Sequence, residues 1–122
     1  MAPKPKASTG GPALRERANW LIHMQYIRQE YDACLAAIEE QLKDCHGMAE
    51  YPIYVKALIK RQRGEISESL QLFQAATCLN PHNVCNLKQV GRSLYLLGKH
   101  KAALDVYAVS YTHLTLPTIH SV

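Results

Sequence analysis

Two groups of cysteine and histidine residues lie close enough in the sequence to suggest metal chemistry. Cys78, His82 and Cys85 form a C-x3-H-x2-C pattern, and Cys45-His46 is a second group. Zinc requires four ligands that converge tetrahedrally. Cys78 lies late in one predicted helix and Cys85 early in the next, so a fourth ligand would have to come from the distant Cys45-His46 pair. We therefore expect no metal site.

The same Cys45-His46 pair does not predict thiol catalysis, because adjacent side chains on a helix point about 100° apart. The carboxylates fall on expected solvent faces without paired acid–base geometry. The glycines are isolated and form no phosphate-binding loop. We therefore expect a protein that is not an enzyme, with no catalytic residues and no cofactor. The carboxylates that we expect on solvent faces, and therefore not in catalysis, are Asp32, Glu39, Glu40, Glu65 and Glu68.

Basic residues cluster at 56–63 (KALIKRQR) and 98–101 (GKHK), and the formal net charge is +4. A nucleic-acid interface would interleave aromatic residues with such charge. The first cluster instead lies at the C-terminal end of a predicted helix, where cations complement the helix dipole. We interpret both clusters as surface charge and expect no nucleic-acid partner.

The composition is that of an ordinary folded protein. The 122 residues are 48% hydrophobic and 20% charged, enough for one small domain or a short repeat array. The sequence contains no run of 18 uncharged apolar residues, so no membrane-spanning helix is predicted. Residues 1–13 are rich in Pro, Gly and Lys, lack the core of a secretion signal and are predicted to be disordered. We expect a cytoplasmic protein whose four cysteines are reduced and act as small buried hydrophobic residues.

The sequence repeats itself at a fixed period. Residues 63–76 align with 97–110, so that equivalent residues are 34 apart. This is the period of the tetratricopeptide (TPR) repeat, a hairpin of two antiparallel helices. The equivalent pairs are Gly64 and Gly98, Ser69 and Ala103, Leu70 and Leu104, and Phe73 and Tyr107.

The residue types at these positions fit two helices packed as a hairpin. Gly64 and Gly98 would end the first helix of each pair, where the backbone is left-handed and only glycine adopts this conformation without steric strain. Ala57 and Gly91 would lie where the helices cross closely, facing the large aromatic residues. Pro81 would stop the second helix, because the residue before a proline disfavours helical geometry.

A weaker copy at 29–42 precedes these repeats at an offset of 35. Cys34 takes the position of the small residues Ser69 and Ala103, and Ile38 takes the position of the large residues Phe73 and Tyr107. The glycine is missing from this copy, and Glu30 lies nearest its place. We therefore predict an all-α fold of antiparallel TPR hairpins stacked as a short right-handed α-solenoid. The hairpins are a degenerate one at 14–48, a complete one at 50–83 and a truncated one at 84–109, with helices at about 15–28, 31–44, 50–63, 66–79, 84–97 and 100–109.

The segment 110–122 departs from the repeat pattern, because helical periodicity is lost and Pro117 lies where the second helix should continue. One interpretation is a local cap. We favour the other, that the segment is foreign to the array and that the chain is a fragment of a longer array. Without a capping helix, the third hairpin is expected to expose the face that Leu94, Leu104 and Tyr107 help form.

Several stretches are more specific than the TPR consensus, namely NWLIH, NLKQV and SLYLLGKHKAA. Over about residues 19–109 the chain resembles, without gaps, the N-terminal repeats of the Bardet–Biedl syndrome 4 family, the TPR subunits of the BBSome. The resemblance implies a protein-interaction scaffold in ciliary membrane traffic, found at centriolar satellites, the basal body and the cilium. It implies other BBSome-type subunits, centriolar-satellite proteins and motor adaptors as partners. The alternatives are a generic cochaperone-type module that binds acidic peptides and an RNA-binding helical repeat.

In a TPR array the first helices of successive hairpins line a concave groove that binds partner segments. Lys88 and Arg92 are four residues apart and share one helix face, where they could hold an acidic side chain or a C-terminal carboxylate. The alternative is an ordinary solvated face. The chaperone-tail clamp of some TPR proteins has Asn where Arg92 stands, which disfavours that activity. The predicted groove residues are Tyr51, Tyr54, Leu58, Arg61, Cys85, Lys88, Gln89, Arg92 and Tyr95.

Overall fold

The computed structural model describes the backbone of residues 12–121 and the side chains of residues 14–110. Within this range the fold is all-α, as predicted, with six helices and no strand. Across the same residues, the helices are too short or too polar to span a lipid bilayer. The helices are α1 Pro12–Ile27, α2 Tyr31–Asp44, α3 Glu50–Gln62, α4 Ile66–Leu79, α5 Val84–Leu96 and α6 His100–Ser121.

The helix bounds follow the predicted ones closely except at the two ends of the chain. Helix α1 begins at Pro12, so the predicted disorder of residues 1–13 is wrong at its last two positions and otherwise lies outside the described residues. Proline suits a first helical position because its missing N–H would be unsatisfied there anyway. The predicted helix end near 109 is also wrong, since α6 continues to Ser121. Pro117 removes one donor from the helical hydrogen-bond ladder without ending it.

The chain is divided into two compact units, which are residues 1–56 and residues 57–122, and the boundary lies inside α3. In the first unit, α1 and α2 pack against each other as a hairpin. Its buried hydrophobic residues come from all three of its helices, and burying them drives the packing. They are Ile22, Cys34, Ile38, Ile53 and Val55.

The second unit contains the rest of α3 together with α4, α5 and α6. Helix α4 packs on α5, and α5 packs on α6. Helix α4 ends before Asn80, whose backbone is not helical, with φ of −145° and ψ of 83°, in agreement with the restriction that Pro81 places on it. The Asn83 side chain caps α5 by accepting a hydrogen bond from the Cys85 N–H at 3.0 Å. The buried hydrophobic residues are Ala57, Ile59, Phe73, Ala76, Val90, Leu94 and Ala103.

Three corners between helices share one backbone geometry. Gly64 and Gly98 have φ angles of 87° and 85°, which confirms the predicted left-handed corners. The N–H of the next residue donates to the carbonyl five residues earlier, from Glu65 at 2.9 Å and Lys99 at 3.0 Å. This is the hydrogen-bond pattern of a Schellman motif.

The first of the three corners corrects the predicted alignment. Gln29, and not Glu30, has the left-handed backbone there, with φ of 63°. The Glu30 N–H donates to the Gln25 carbonyl at 2.9 Å, as its equivalents do in the other two corners. The first hairpin therefore has the same turn as the others, although glycine is absent from it.

The end of the second unit exposes apolar side chains, as predicted for two of the three residues named. Leu104 is 68% exposed and Tyr107 is 37% exposed, whereas Phe73, the equivalent of Tyr107 in the preceding repeat, is fully buried. The prediction for Leu94 is wrong, because it is only 8% exposed. Leu94 lies on α5, and the packing of α6 against α5 covers the inner face of that helix.

Candidate protein-binding site

The predicted groove residues divide between the two compact units. Tyr51 and Tyr54 belong to the first unit, and both are half-buried. The remaining residues belong to the second unit, where they are either half-buried or exposed. They are Leu58, Arg61 and Gln89, which are half-buried, and Cys85, Lys88, Arg92 and Tyr95, which are exposed.

Arg61 contacts several residues inside the second unit. Its guanidinium donates to the Gln89 side-chain oxygen at 2.5 Å, the Gln89 carbonyl at 3.4 Å and the Ser93 hydroxyl at 3.2 Å. The same group lies 5.0 Å from the centre of the Phe73 ring, a cation–π distance. The structure thus brings Arg61 and Gln89 together, and it uses Arg61 to link α3 to α5.

Lys88 and Arg92 lie one turn apart on α5, and both are exposed. Tyr95 follows on the same helix and is 56% exposed, with its ring edge-on to His100 at a centroid distance of 4.7 Å. We call Lys88, Arg92 and Tyr95 the α5 basic face. Two cations with an aromatic ring nearby can bind a carboxylate and the apolar part of a peptide together.

Tyr51 lies in a cluster of aromatic rings in the first unit. Its hydroxyl is 3.0 Å from Nδ1 of His23. The His23 ring stacks on Trp20 with a centroid distance of 5.6 Å and an interplanar angle of 25°. A surface cavity of about 330 Å³ opens beside these rings. We call it the Trp20 pocket, and its lining residues are Glu16, Asn19, Trp20, His23 and Tyr51.

The Tyr51 hydroxyl keeps its proton at neutral pH. Burial is the main cause that raises the pKa of Tyr51 above its ordinary value of 10.0, and the nearby Cys34, Tyr54 and Tyr26 raise this pKa further. A protonated hydroxyl can donate or accept a hydrogen bond, so it can hold either tautomer of His23 in place.

Sequence reasoning identified Tyr51 but missed Trp20 and His23 as parts of a site. Trp20 lies on α1 and is 64% exposed. The signal that could have found it is the i, i+3 spacing of Trp20 and His23, which places both rings on one helix face. A large exposed aromatic residue is enriched at protein-binding surfaces.

The cysteines differ in exposure, which corrects the prediction that all four are buried. Cys34 is fully buried in the predicted small position, and its thiol donates to the Ile22 carbonyl at 3.4 Å. Cys45 is half-buried, while Cys78 and Cys85 are exposed. Among the side chains of residues 14–110, no three His, Cys, Asp or Glu residues lie together as metal ligands would.

The Cys45-His46 pair lines a second cavity of about 490 Å³ in the first unit. The Cys45 sulfur accepts a hydrogen bond from the Gln41 amide at 3.6 Å. His46 has a left-handed backbone, with φ of 55°, because the chain turns there at the end of α2. The pair is therefore part of a helix end, and both polar and apolar residues line the cavity beside it.

No protein-family model matches the chain. It is 60% identical over 92 residues to the BBSome complex member BBS4 of Bos taurus, which covers 75% of this chain and 18% of that protein. The identity to the BBSome complex member BBS4 of Mus musculus is 55% over 105 residues, covering 86% of this chain and 20% of the relative. A BBS4 homolog of Drosophila melanogaster is 37% identical over 98 residues, or 79% and 20% of the two chains.

The chain spans about a fifth of the length of the curated relatives it matches. The similarity extends over most of the described helices, because it covers 75% or more of the chain in each of these comparisons. The resemblance inferred from the sequence is therefore confirmed, and this chain is homologous to a part of the BBSome complex members named BBS4.

Proposed function

We propose that this chain is part of a BBSome subunit and serves as a non-enzymatic scaffold that binds other proteins. The observation that carries this proposal is the 60% identity to BBS4 of Bos taurus, which is named as a member of that complex. The partners are then other BBSome subunits, together with centriolar-satellite proteins and motor adaptors. The place of action is the basal body and cilium.

The helical hairpins support a scaffold role. The corners at Gln29, Gly64 and Gly98 have the same backbone geometry, so they give the hairpins one recurring turn. Helices that pack through buried apolar residues leave their outer faces free for partners. In the second unit, the α5 basic face is such a surface, and its two cations suit an acidic segment of a partner.

A binding assay with purified BBSome subunits tests the proposal. The 122-residue chain is immobilised, and each subunit is passed over it at micromolar concentration. We expect at least one subunit to be retained. The double variant Lys88→Ala/Arg92→Ala should weaken that binding about tenfold, since each cation contributes one charge-assisted contact.

A matched control separates these contacts from a general loss of charge. Arg28→Ala/Lys43→Ala removes the same two positive charges from exposed positions of the first unit. This variant should bind the subunit as the unmodified chain does. Retention of no subunit by the unmodified chain, which must be shown to be folded by circular dichroism, would contradict the proposal.

A second candidate is a generic module that binds acidic peptides, and the exposure of Lys88 and Arg92 favours it. It predicts micromolar binding of a peptide that ends in a free carboxylate and loss of binding when that end is amidated. It also predicts that no BBSome subunit is needed. A salt-dependent mobility shift of RNA would instead support an RNA-binding repeat.

A further inference from the structure

We propose that the Trp20 pocket binds the side chain of an arginine carried by a partner protein segment. This inference deepens the proposed scaffold function, on which it rests, by naming the chemistry of one contact. It concerns only the first unit, and it involves none of the residues of the α5 basic face.

The shape of the pocket suits one long side chain. Its volume of about 330 Å³ is at the lower end of the range for ligand pockets in proteins. Trp20 remains 64% exposed, although His23 stacks on it, so much of the indole is open to a partner. The hydrogen bond between His23 and Tyr51 ties α1 to α3 and holds the rings in place.

The lining favours a cation. Three aromatic rings present their π faces or edges, and Trp has the face that attracts a cation most strongly. Glu16 brings a carboxylate to the same cavity, and Asn19 brings an amide. Among the side chains that the structure describes, no lysine or arginine lines it. A positively charged group therefore meets attraction from the Glu16 carboxylate and from the face of Trp20.

Arginine fits this set better than lysine. The guanidinium is planar, so it can stack on the exposed part of the Trp20 indole that His23 leaves uncovered, and it is less strongly hydrated than an ammonium group. Its N–H groups can also pair with both oxygens of the Glu16 carboxylate. A lysine could make a single contact with either group.

The test uses Trp20 as its own reporter, because it is the single tryptophan of the chain. Its indole N–H gives one resolved signal in a proton–nitrogen NMR spectrum. The probe is the peptide acetyl-Ala-Ala-Arg-Ala-Ala-amide, added to the full chain in low salt. We expect the indole signal to shift and to saturate with a millimolar dissociation constant. The same peptide with citrulline, a neutral isostere of arginine, should bind at least about fivefold more weakly.

Variants of the pocket sharpen the test. Glu16→Gln keeps the size of the side chain and should weaken binding of the arginine peptide about threefold, without changing binding of the citrulline peptide. Glu40→Gln is the matched control, because Glu40 is exposed on α2 outside the pocket. It should change neither dissociation constant. Tyr51→Phe should weaken binding by freeing His23.

Several results would overturn the inference. These are an indole signal that does not move, equal shifts for the arginine and citrulline peptides, and tighter binding of a lysine peptide. The result is independent of the scaffold proposal, because the titration requires no BBSome subunit. If a subunit is retained but the arginine peptide does not shift the Trp20 signal, only the arginine inference is contradicted. If the arginine peptide binds saturably but no subunit is retained, only the scaffold proposal is contradicted.

Discussion

The ring of Tyr107 lies directly over the backbone of Gly91. A Cβ atom added at Gly91 would be 3.1 Å from Cε1 and Cζ of that ring, closer than nearly all real contacts of this kind. The two residues belong to α5 and α6, which form the last hairpin, and the absence of a side chain at Gly91 allows these helices to approach. In the preceding repeat, Ala57 and Phe73 hold the equivalent positions, and both are fully buried.

The contact between Gly91 and Tyr107 predicts that Gly91→Ala destabilises the protein by about 1 kcal/mol. Alanine is the better helix former by about 1 kcal/mol, so the clash must exceed that gain. With Tyr107→Ala as the background, the clash is gone and Gly91→Ala should stabilise by about 1 kcal/mol. Urea denaturation of the four proteins measures this coupling, and strictly additive effects would contradict it.

The left-handed backbone at Gln29 makes a second prediction. Gln29 has φ of 63° and is exposed, so the side chain carries conformational strain without a packing contact to offset it. Gln29→Gly should raise the free energy of unfolding by about 1 kcal/mol. Gly64→Ala should lower it by a similar amount, although no atom lies within 4 Å of the added Cβ. Thermal denaturation compares the two, and destabilisation by Gln29→Gly would show that this corner is unstrained.

Much of the fold was predictable because the repeat imposes the same local requirements again and again. The spacing of 34 residues and the two glycines were enough to place three helices, α3, α4 and α5, within one residue of their observed ends. The corner at Gln29 was not predicted, because a residue other than glycine gives no sequence signal for a left-handed backbone. The end of α6 was not predicted, because the loss of periodicity and Pro117 were taken as signs that the helix stops, whereas it continues to Ser121.

The candidate site was less predictable, because long side chains reach residues far away in sequence. Arg61 was assigned to an open groove, but its guanidinium reaches Gln89 and Ser93 across the unit. His23 and Tyr51 are 28 residues apart, and only the packing of their helices brings them within hydrogen-bond distance. Periodicity assigns a residue to a helix face, whereas these contacts depend on how two faces meet.

The contacts of Arg61 predict a structural role that can be measured. Arg61→Met keeps the aliphatic stem near Phe73 but removes the hydrogen bonds to Gln89 and the fully buried Ser93. We expect a loss of about 2 kcal/mol in the free energy of unfolding, because the hydrogen bonds from a charged donor are lost, while the Ser93 hydroxyl keeps its contact with the Ser69 hydroxyl at 3.2 Å. Arg92→Met removes the same charge from an exposed position and should change stability by less than about 0.5 kcal/mol. Equal effects of the two changes would argue against the link between α3 and α5.

The exposure of the cysteines predicts their reactivity. Cys78 and Cys85 are exposed, whereas Cys34 is fully buried and its burial raises the pKa of the thiol, so less thiolate forms. At pH 8, iodoacetamide should modify Cys34 on the order of 100-fold more slowly than the other two. Peptide mass spectrometry over time follows each site, and addition of urea should equalise the rates. Rapid modification of Cys34 in the folded chain would contradict its placement in the core.

The raised pKa of Cys34 also makes stability depend on pH in a defined direction. Burial places the pKa above the ordinary value of 9.0, while the unfolded chain loses this proton near that value. Above about pH 9 the folded state therefore holds more protons than the unfolded state, and the free energy of unfolding falls as pH rises. Tyr51, whose pKa is also raised, adds a further fall above about pH 10. Urea midpoints from pH 7 to 10 should decline less steeply in Cys34→Ala than in the unmodified chain, and parallel curves would show that this thiol titrates alike in both states.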